Sequence, residues 1–286
     1  MILTDDFYSF RHGVFDITVL SDGEAPRSGG NWEPQSRRRR RLPWSRKSIE
    51  IDDFIVAQSN IPLIVTDQDI VLIDVGLGDQ LHGDSGRLEE NLSRIGVRAS
   101  DITMVVLTHA HSGHIGGITR ADGTLRYKNA RYFMAATEWA YWMTGAASPS
   151  SRYETLVRST AQAALKAVGV RLTLVDDGDE IVPDMRVLIT EGHTPGHISL
   201  VLESDIPLII TGDATANDTV SFENPEMTTC IDRDPSVAGN TRRRLLEQAV
   251  ASHAKLLGFH WPYPGVGRAD RDGAAFRLRQ IGKFAQ

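Results

Sequence analysis

Residues 107–117 read LTHAHSGHIGG and follow directly on the apolar run Met104-Val105-Val106. Three imidazoles, His109, His111 and His114, therefore crowd one tight turn at the end of a buried-type strand. A single histidine after a strand is usually a hydrogen-bonded loop residue. Three within six positions point to ligation, because neutral imidazole suits zinc, iron, manganese and cobalt. Working outward, further apolar runs end the same way. Val187 to Ile189 leads into TEGHTPGH (190–197) with His193 and His197, Leu208 to Ile210 into Thr211-Gly212-Asp213, and Leu256 to Phe259 into His260. Val71 to Ile73 ends at Asp74. Strand ends at one sheet edge let rigid backbone hold side chains from distant sequence around a common point. Of the other histidines, His12, His82 and His253 have no such company and read as surface residues.

The periodicity between these points orders the chain. Phe15–Leu20 reads as a strand closed by the turn Ser21-Asp22-Gly23, and a polar, Arg-rich loop follows over about 24–48. Phe54–Ala57, Ile61–Thr66 and Ile70–Ile73 are short β-branched runs. Leu88, Leu92 and Ile95 fall at helical spacing and end at Gly96, which predicts a helix over Ser85–Ile95. Met104–Leu107, Thr124–Tyr127 and Arg131–Met134 read as strands, and Thr137–Met143 as a helix. Leu156, Thr160, Ala164 and Val168 make one face of a helix over Arg152–Val168, stopped by Gly169. Strands follow at Arg171–Val175, Arg186–Thr190, Leu200–Glu203 and Leu208–Thr211. Asp234 and Pro235 open a helix that runs to about His253, with Thr241-Arg242-Arg243-Arg244 on its solvated face. Lys255–Phe259 closes the pattern, and the polar residues from Arg268 onward carry no assignment. With no linker-like break, residues 1–286 read as a single domain of two packed sheets mixed with helices, α/β (α+β) in class.

Bulk properties narrow the function. The 286 residues are 41% hydrophobic and 24% charged, the balance of an ordinary globular protein. A net charge of -6 gives no general attraction to nucleic acid or an anionic bilayer. No apolar stretch reaches export-signal or membrane-spanning form, so the expected setting is cytoplasmic. The lone Cys230 excludes an intramolecular disulfide and a thiolate cluster. Any metal must use histidine and carboxylate. The run Arg37 to Arg41, with Arg27, Arg46 and Lys47 near it, reads as a solvated loop; the alternative is a cover over the site that attracts a carboxylate or phosphate.

These motifs together resemble the metallo-β-lactamase superfamily, whose mark is His-x-His-x-Asp-His after a strand, and more narrowly its methyl parathion hydrolase and lactonase-like branch. The resembling pieces are ITVLSDG (17–23), VLIDVG (71–76), LTHAHSGHIGG (107–117), NARYFMAATEWAYWM (129–143), GHTPGH (192–197), TGD (211–213) and HWPYPG (260–265), in the family's order. The resemblance implies a four-layer αββα sandwich with its site at the sheet edges. It makes His109, His111 and His193 ligands of a first metal, His114 and His260 ligands of a second, and Asp213 the bridge. Asp74 would support the site from behind, and His197 would pack or hydrogen-bond rather than ligate. One position departs from the pattern: Gly113 stands where the family carries the aspartate. That leaves three outcomes: one metal at the first site, a second completed by water or by an acidic group of the substrate, or a site too weak to catalyse.

The expected activity is hydrolysis of an ester, lactone, amide or phosphotriester by a metal-bound hydroxide, with Asp213 and His114 as the groups handling its proton. Zinc is the expected metal, one per chain or two, with manganese or iron as alternatives. A ligand-binding or sensor relative that has lost the chemistry, and a mononuclear iron redox enzyme, stay open as rival readings. The substrate would be a small molecule, carboxylate- or phosphate-bearing if the arginine loop takes part. Trp139, Trp142, Phe222 and Trp261 are candidates to line its pocket, although aromatics at such spacing more often belong to a core. Related enzymes are commonly homodimers, which the resemblance extends to this chain.

Overall fold

A strand covered on both faces needs apolar side chains on both, and the central runs of this chain meet that condition. The computed structural model describes residues 2–3, 6–27, 55–79, 85–144, 152–227 and 231–281. Strands β1 (Ile2–Leu3), β2 (Phe7–His12), β3 (Phe15–Arg27), β4 (Ile55–Val65), β5 (Ile70–Ile73), β6 (Met104–Val106), β7 (Arg131–Ala135) and β8 (Leu172–Val175) form one sheet in chain order. Pairing is antiparallel from β1 to β5 and parallel from β5 to β8. Helices α1 (Leu88–Arg94), α2 (Ser112–Ile115), α3 (Ala136–Met143) and α4 (Arg152–Val168) lie in the parallel crossovers. The second sheet takes β9 (Glu180–Val182), β10 (Met185–Ile189), β11 (Ile198–Leu202), β12 (Leu208–Gly212), β13 (Lys255–Gly258), β14 (Val266–Asp272) and β15 (Ala275–Gln280). Its one parallel pair, β12 with β13, is bridged by α5 (Val220–Glu223) and α6 (Pro235–Ala251).

Alternation along the strands sorts side chains into three cores. Val71, Ile73, Met104 and Val106 face inward and meet Val187, Leu200, Leu208, Ile210 and Leu257 of the other sheet. The intervening Leu72 and Val105 turn outward to Leu88 and Leu92 of α1, Trp142 of α3 and Ala161 and Leu165 of α4. On the far side Ile209 and Leu256 meet Leu245, Leu246 and Ala249 of α6. Helix, sheet, sheet, helix is the layering that results, as expected. No helix among the described residues is long and apolar enough to cross a membrane.

Several local expectations need correction. Ser21-Asp22-Gly23 does not end its strand: β3 continues to Arg27 opposite Ile55, and the three residues form an irregularity in the β3/β4 register. The unbroken partner strand β4, which joins the two runs read separately at 54–57 and 61–66, turns the would-be corner into a bulge. Residues 24–27 are therefore strand rather than loop. Thr124–Tyr127 makes only an isolated bridge, Thr119 to Leu125, because its backbone bonds go back to the preceding turn, Arg126 N–H to Ile118 O at 2.9 Å. In α4 the buried face runs through Arg158, Ala161, Ala164, Leu165 and Val168, and Leu156 is 63% exposed. His12 is buried, its Nε2 3.1 Å from Ser204 Oγ across the sheets. Strand β2, the short β9 and the hairpin β14/β15 were without assignment in the pattern. The run Arg37 to Arg41, Arg46, Lys47, Phe54, His82 and Cys230 lie outside the described residues.

The bulge does structural work through Asp22. Its buried carboxylate accepts from Leu77 N–H at 3.0 Å and Leu88 N–H at 2.8 Å, tying β3 to the first turn of α1 and to the loop after β5. Burial lifts its pKa from 3.8 to about 6, against the lowering pull of these N–H groups and of Arg126. The folded form thus holds this proton more tightly than the unfolded chain, and the associated stability is present at low pH and lost as the pH rises through about 6. In Asp22→Asn this titration is gone, so the urea midpoint of the wild type should fall relative to the variant between pH about 4 and 6. Parallel midpoint curves would count against this assignment.

Candidate metal centre

Five strands deliver the site. Asp74 follows β5, His109 and His111 follow β6, His193 follows β10, Asp213 follows β12 and His260 follows β13, while His114 rides on α2. Two backbone conformations make the convergence fit. Asp74 sits at φ 61, the left-handed region that aspartate tolerates better than most residues. Gly212 sits at φ 50, where a Cβ would meet His197 Nε2 at 2.7 Å.

His109 Nε2 and His193 Nε2 each lie 3.0 Å from His111 Nδ1. Asp213 stands between this trio and a second pair. Its Oδ2 is 3.3 Å from His193 Nε2 and 4.0 Å from His109 Nε2, and its Oδ1 is 3.4 Å from both His114 Nε2 and His260 Nε2. All six residues named in the sequence as metal-facing are thus brought together. His111 alone among them is partly exposed; the others are buried.

The outer nitrogens decide what the inner ones present. His193 Nδ1 donates to Asp232 Oδ1 at 3.2 Å, His114 Nδ1 to Asp74 Oδ2 at 2.8 Å and His260 Nδ1 to the Gln58 carbonyl at 2.7 Å. Thr108 Oγ1 gives its proton to Asp74 Oδ2 at 2.7 Å and so accepts from His109 Nδ1 at 3.1 Å. A neutral ring with its proton spent outward keeps a lone pair on Nε2, and here each Nε2 points inward. His197 is turned differently: its Nε2 accepts the Asp213 backbone N–H at 2.9 Å and its Nδ1 meets Thr190 Oγ1 at 2.9 Å. It orients the carboxylate rather than facing the trio.

Convergent lone pairs around a buried carboxylate fit a divalent cation. His114 Nε2 and Asp213 Oδ1 are wholly buried and make no hydrogen bond, a cost of roughly 1–3 kcal/mol for each such group unless something else meets them. The 3.0 Å nitrogen spacings approach the roughly 3.3 Å edge of a tetrahedral shell with zinc–nitrogen distances of ~2.0–2.1 Å. Two groups, His109/His111/His193 and His109/His114/Asp213, each bring three ligand atoms within 4.8 Å of one another. Burial opposes the charge of Asp213, yet His260 and His114 hold its pKa well below the usual carboxylate range. Burial would likewise discharge His114, but Asp213 and Asp74 outweigh it and raise the ring to about 9, so a cation taken up there must displace the Nε2 proton. Burial and the neighbouring imidazoles depress His109, and burial takes His197 down to about 3.

Pattern reading missed two supports. Asp232 accepts from His193 on one oxygen and from Arg242 NH2, at 3.1 Å, on the other. Arg242, read as part of a solvated face, is buried, and its Nε also holds the Ala214 carbonyl beside Asp213 at 2.9 Å. Nothing local in DRDP (232–235) distinguishes Asp232 from a loop acid; the buried arginine that marks it lies about two helical turns inside α6. The aromatics divide. Trp142 sets its ring edge-on to His111 at 5.8 Å, and Trp139 packs partly buried against the outer core. Phe222 and Trp261 are wholly buried against each other, centroids 5.3 Å apart, and present no face to a ligand. A surface cavity of about 510 Å³ bordered by Arg98, Arg120, Arg126 and Lys128 shares no residue with the centre. Asp232→Asn sets an amide N–H against Arg242 or His193, so zinc affinity, titrated against a chromophoric chelator, should fall about 10- to 100-fold. Wild-type affinity in that variant would refute the role given to Asp232.

Comparison with known proteins agrees with this fold. The family model described as metallo-beta-lactamase superfamily matches residues 55–260. An N-acyl homoserine lactonase of Bacillus sp is 24% identical over 183 residues, 57% of this chain and 65% of that protein. One from Bacillus thuringiensis is 23% identical over 162 residues, 50% of this chain and 57% of that protein. The match thus spans less than two thirds of the length of these relatives. Among solved structures, AidC, a dizinc quorum-quenching lactonase in complex with a product, N-hexnoyl-L-homoserine, aligns with a TM-score of 0.89 at 24% identity over 97% of this chain and 98% of that one. The hydrolase AbOPH of the beta lactamase superfamily aligns with a TM-score of 0.87 at 23% identity over 98% and 99%. The family model covers well over half the chain and every ligand candidate from His109 to His260, and on that match the chain belongs to the metallo-beta-lactamase superfamily.

Proposed function

We propose that this protein is a metal-dependent hydrolase of lactones and related esters, in the methyl parathion hydrolase and lactonase-like branch of its superfamily. The observation that carries the reading is the Asp213 carboxylate, whose two oxygens face two separate imidazole groups. The relatives named as N-acyl homoserine lactonases support the substrate class. His109, His111 and His193 would hold a first cation with Asp213, and His114 and His260 would serve a second from the other oxygen. When bound, zinc or a similar ion supplies a water of lowered pKa, about 7 in favourable sites, and polarises the substrate oxygen.

The chain's own groups do the rest. With one ion held by the first group, Asp213 Oδ1 would be free to accept a proton from the attacking water, and His114, held by Asp74, would keep that oxygen charged until then. His109, His193 and His114 are sealed from solvent, so substrate approaches on the side of the partly exposed His111. Gly113 supplies no carboxylate, which leaves the second group with fewer protein ligands and favours one tightly held ion per chain. A homodimer is the form the family resemblance supports, which light scattering measures.

The test is a zinc-loaded preparation offered N-acyl homoserine lactones, other lactones, aryl esters and phosphotriesters. Turnover of a lactone or ester is expected, and inactivity on all four with zinc bound would sink the proposal. His111→Ala should lose the metal and reduce turnover to the background rate. Gly113→Asp should raise bound zinc from about one per chain toward two, read by elemental analysis. Unchanged occupancy there would argue against the placement of His114 and His260.

A further inference from the structure

Glu138 is a carboxylate in the first turn of α3, fully buried, that ligates nothing in the site just described. Its Oε1 accepts from Ala110 N–H at 2.9 Å and from Trp142 Nε1–H at 2.6 Å, and its Oε2 from Gly196 N–H at 3.0 Å. Ala110 lies between His109 and His111; Gly196 lies between His193 and His197. The two turns come from different sheets, one after β6 and the other between β10 and β11. Gly196 permits the approach: a Cβ there would stand 2.0 Å from the Glu138 backbone nitrogen. Among the described residues no lysine or arginine forms an ion pair with Glu138; burial pushes its carboxyl above the usual range, and Thr194, the Trp142 indole and the N–H groups of Ala110 and Gly196 pull it back. Such an arrangement is expensive unless the hydrogen bonds are all made, and making them fixes both turns relative to one helix.

We infer that Glu138 is a positioning residue for the metal centre, setting the spacing between the His109/His111 turn and the His193 turn through one carboxylate. The inference rests on the hydrolase reading above. Glu138→Gln keeps the size and one acceptor oxygen but turns an amide N–H toward one of the two loops. The loops remain joined by the bond from Ile198 N–H to the Thr108 carbonyl, 3.0 Å.

The experiment strips wild type and Glu138→Gln of metal, titrates zinc against a chromophoric chelator and records melting with and without zinc. The variant should bind its tightest zinc at least about tenfold more weakly and lose much of the zinc-induced rise in melting temperature, with the metal-free melting temperature retained. Wild-type zinc affinity in the variant overturns the inference. So does an affinity loss matched by an equal loss of metal-free stability, which marks a merely structural role. If Glu138→Gln does not fold, Gly196→Ala takes its place, since it pushes the same turn off α3: a similar drop in affinity supports the inference and an unchanged affinity overturns it. A wild type that takes up no zinc removes the hydrolase reading instead, whereas zinc-binding wild type beside an unaffected variant removes only this inference.

Discussion

A buried carboxylate surrounded by imidazoles must be compensated, and that requirement on Asp213 organises much of what lies around it. Four rings direct Nε2 inward only because each outer nitrogen has its own partner, on Asp232, Asp74, the Gln58 carbonyl or Thr108. Remove those partners and the rings could flip or exchange tautomers, and the convergence would be lost without any change in the six inner residues. The fold supplies the partners from well beyond the site: Gln58 from β4, Asp232 from the approach to α6, and Arg242 from within it.

The same division between inner and outer residues explains what could be read from the chain. Apolar runs that stop at a histidine or aspartate are a local signal, and they located His109, His193, Asp213 and His260 before any geometry was known. The helix opening at Asp234 was equally local, a side chain accepting Val237 N–H one turn ahead. The layering of the sandwich followed from counting strands and helices between those points and from the resemblance.

What stayed hidden was set by partners far along the chain. Ser21-Asp22-Gly23 has the composition of a turn, and only the continuous β4 makes it a bulge. His12 and Arg242 have the composition of surface, and only packing from the other sheet or from the Asp232 loop buries them. Glu138 carries a clue in hindsight, an acid inside the apolar stretch AATEWAYWM, but without its two loop partners it is one more helical glutamate. The hairpin β14/β15 alternates charge with apolar residues over an outer face, a weaker signal than the continuous hydrophobic runs of the central strands.

The strand order has one more consequence. Every strand of the first sheet lies before residue 176 and every strand of the second after residue 179, with the polar turn Asp176-Asp177-Gly178-Asp179 between them. Each sheet brings its own outer helices and its own share of the imidazoles. Cleavage within that turn would leave two fragments, each with a complete sheet and half a coordination sphere, so that a shared ion would favour their reassembly as a glue favours two matched faces.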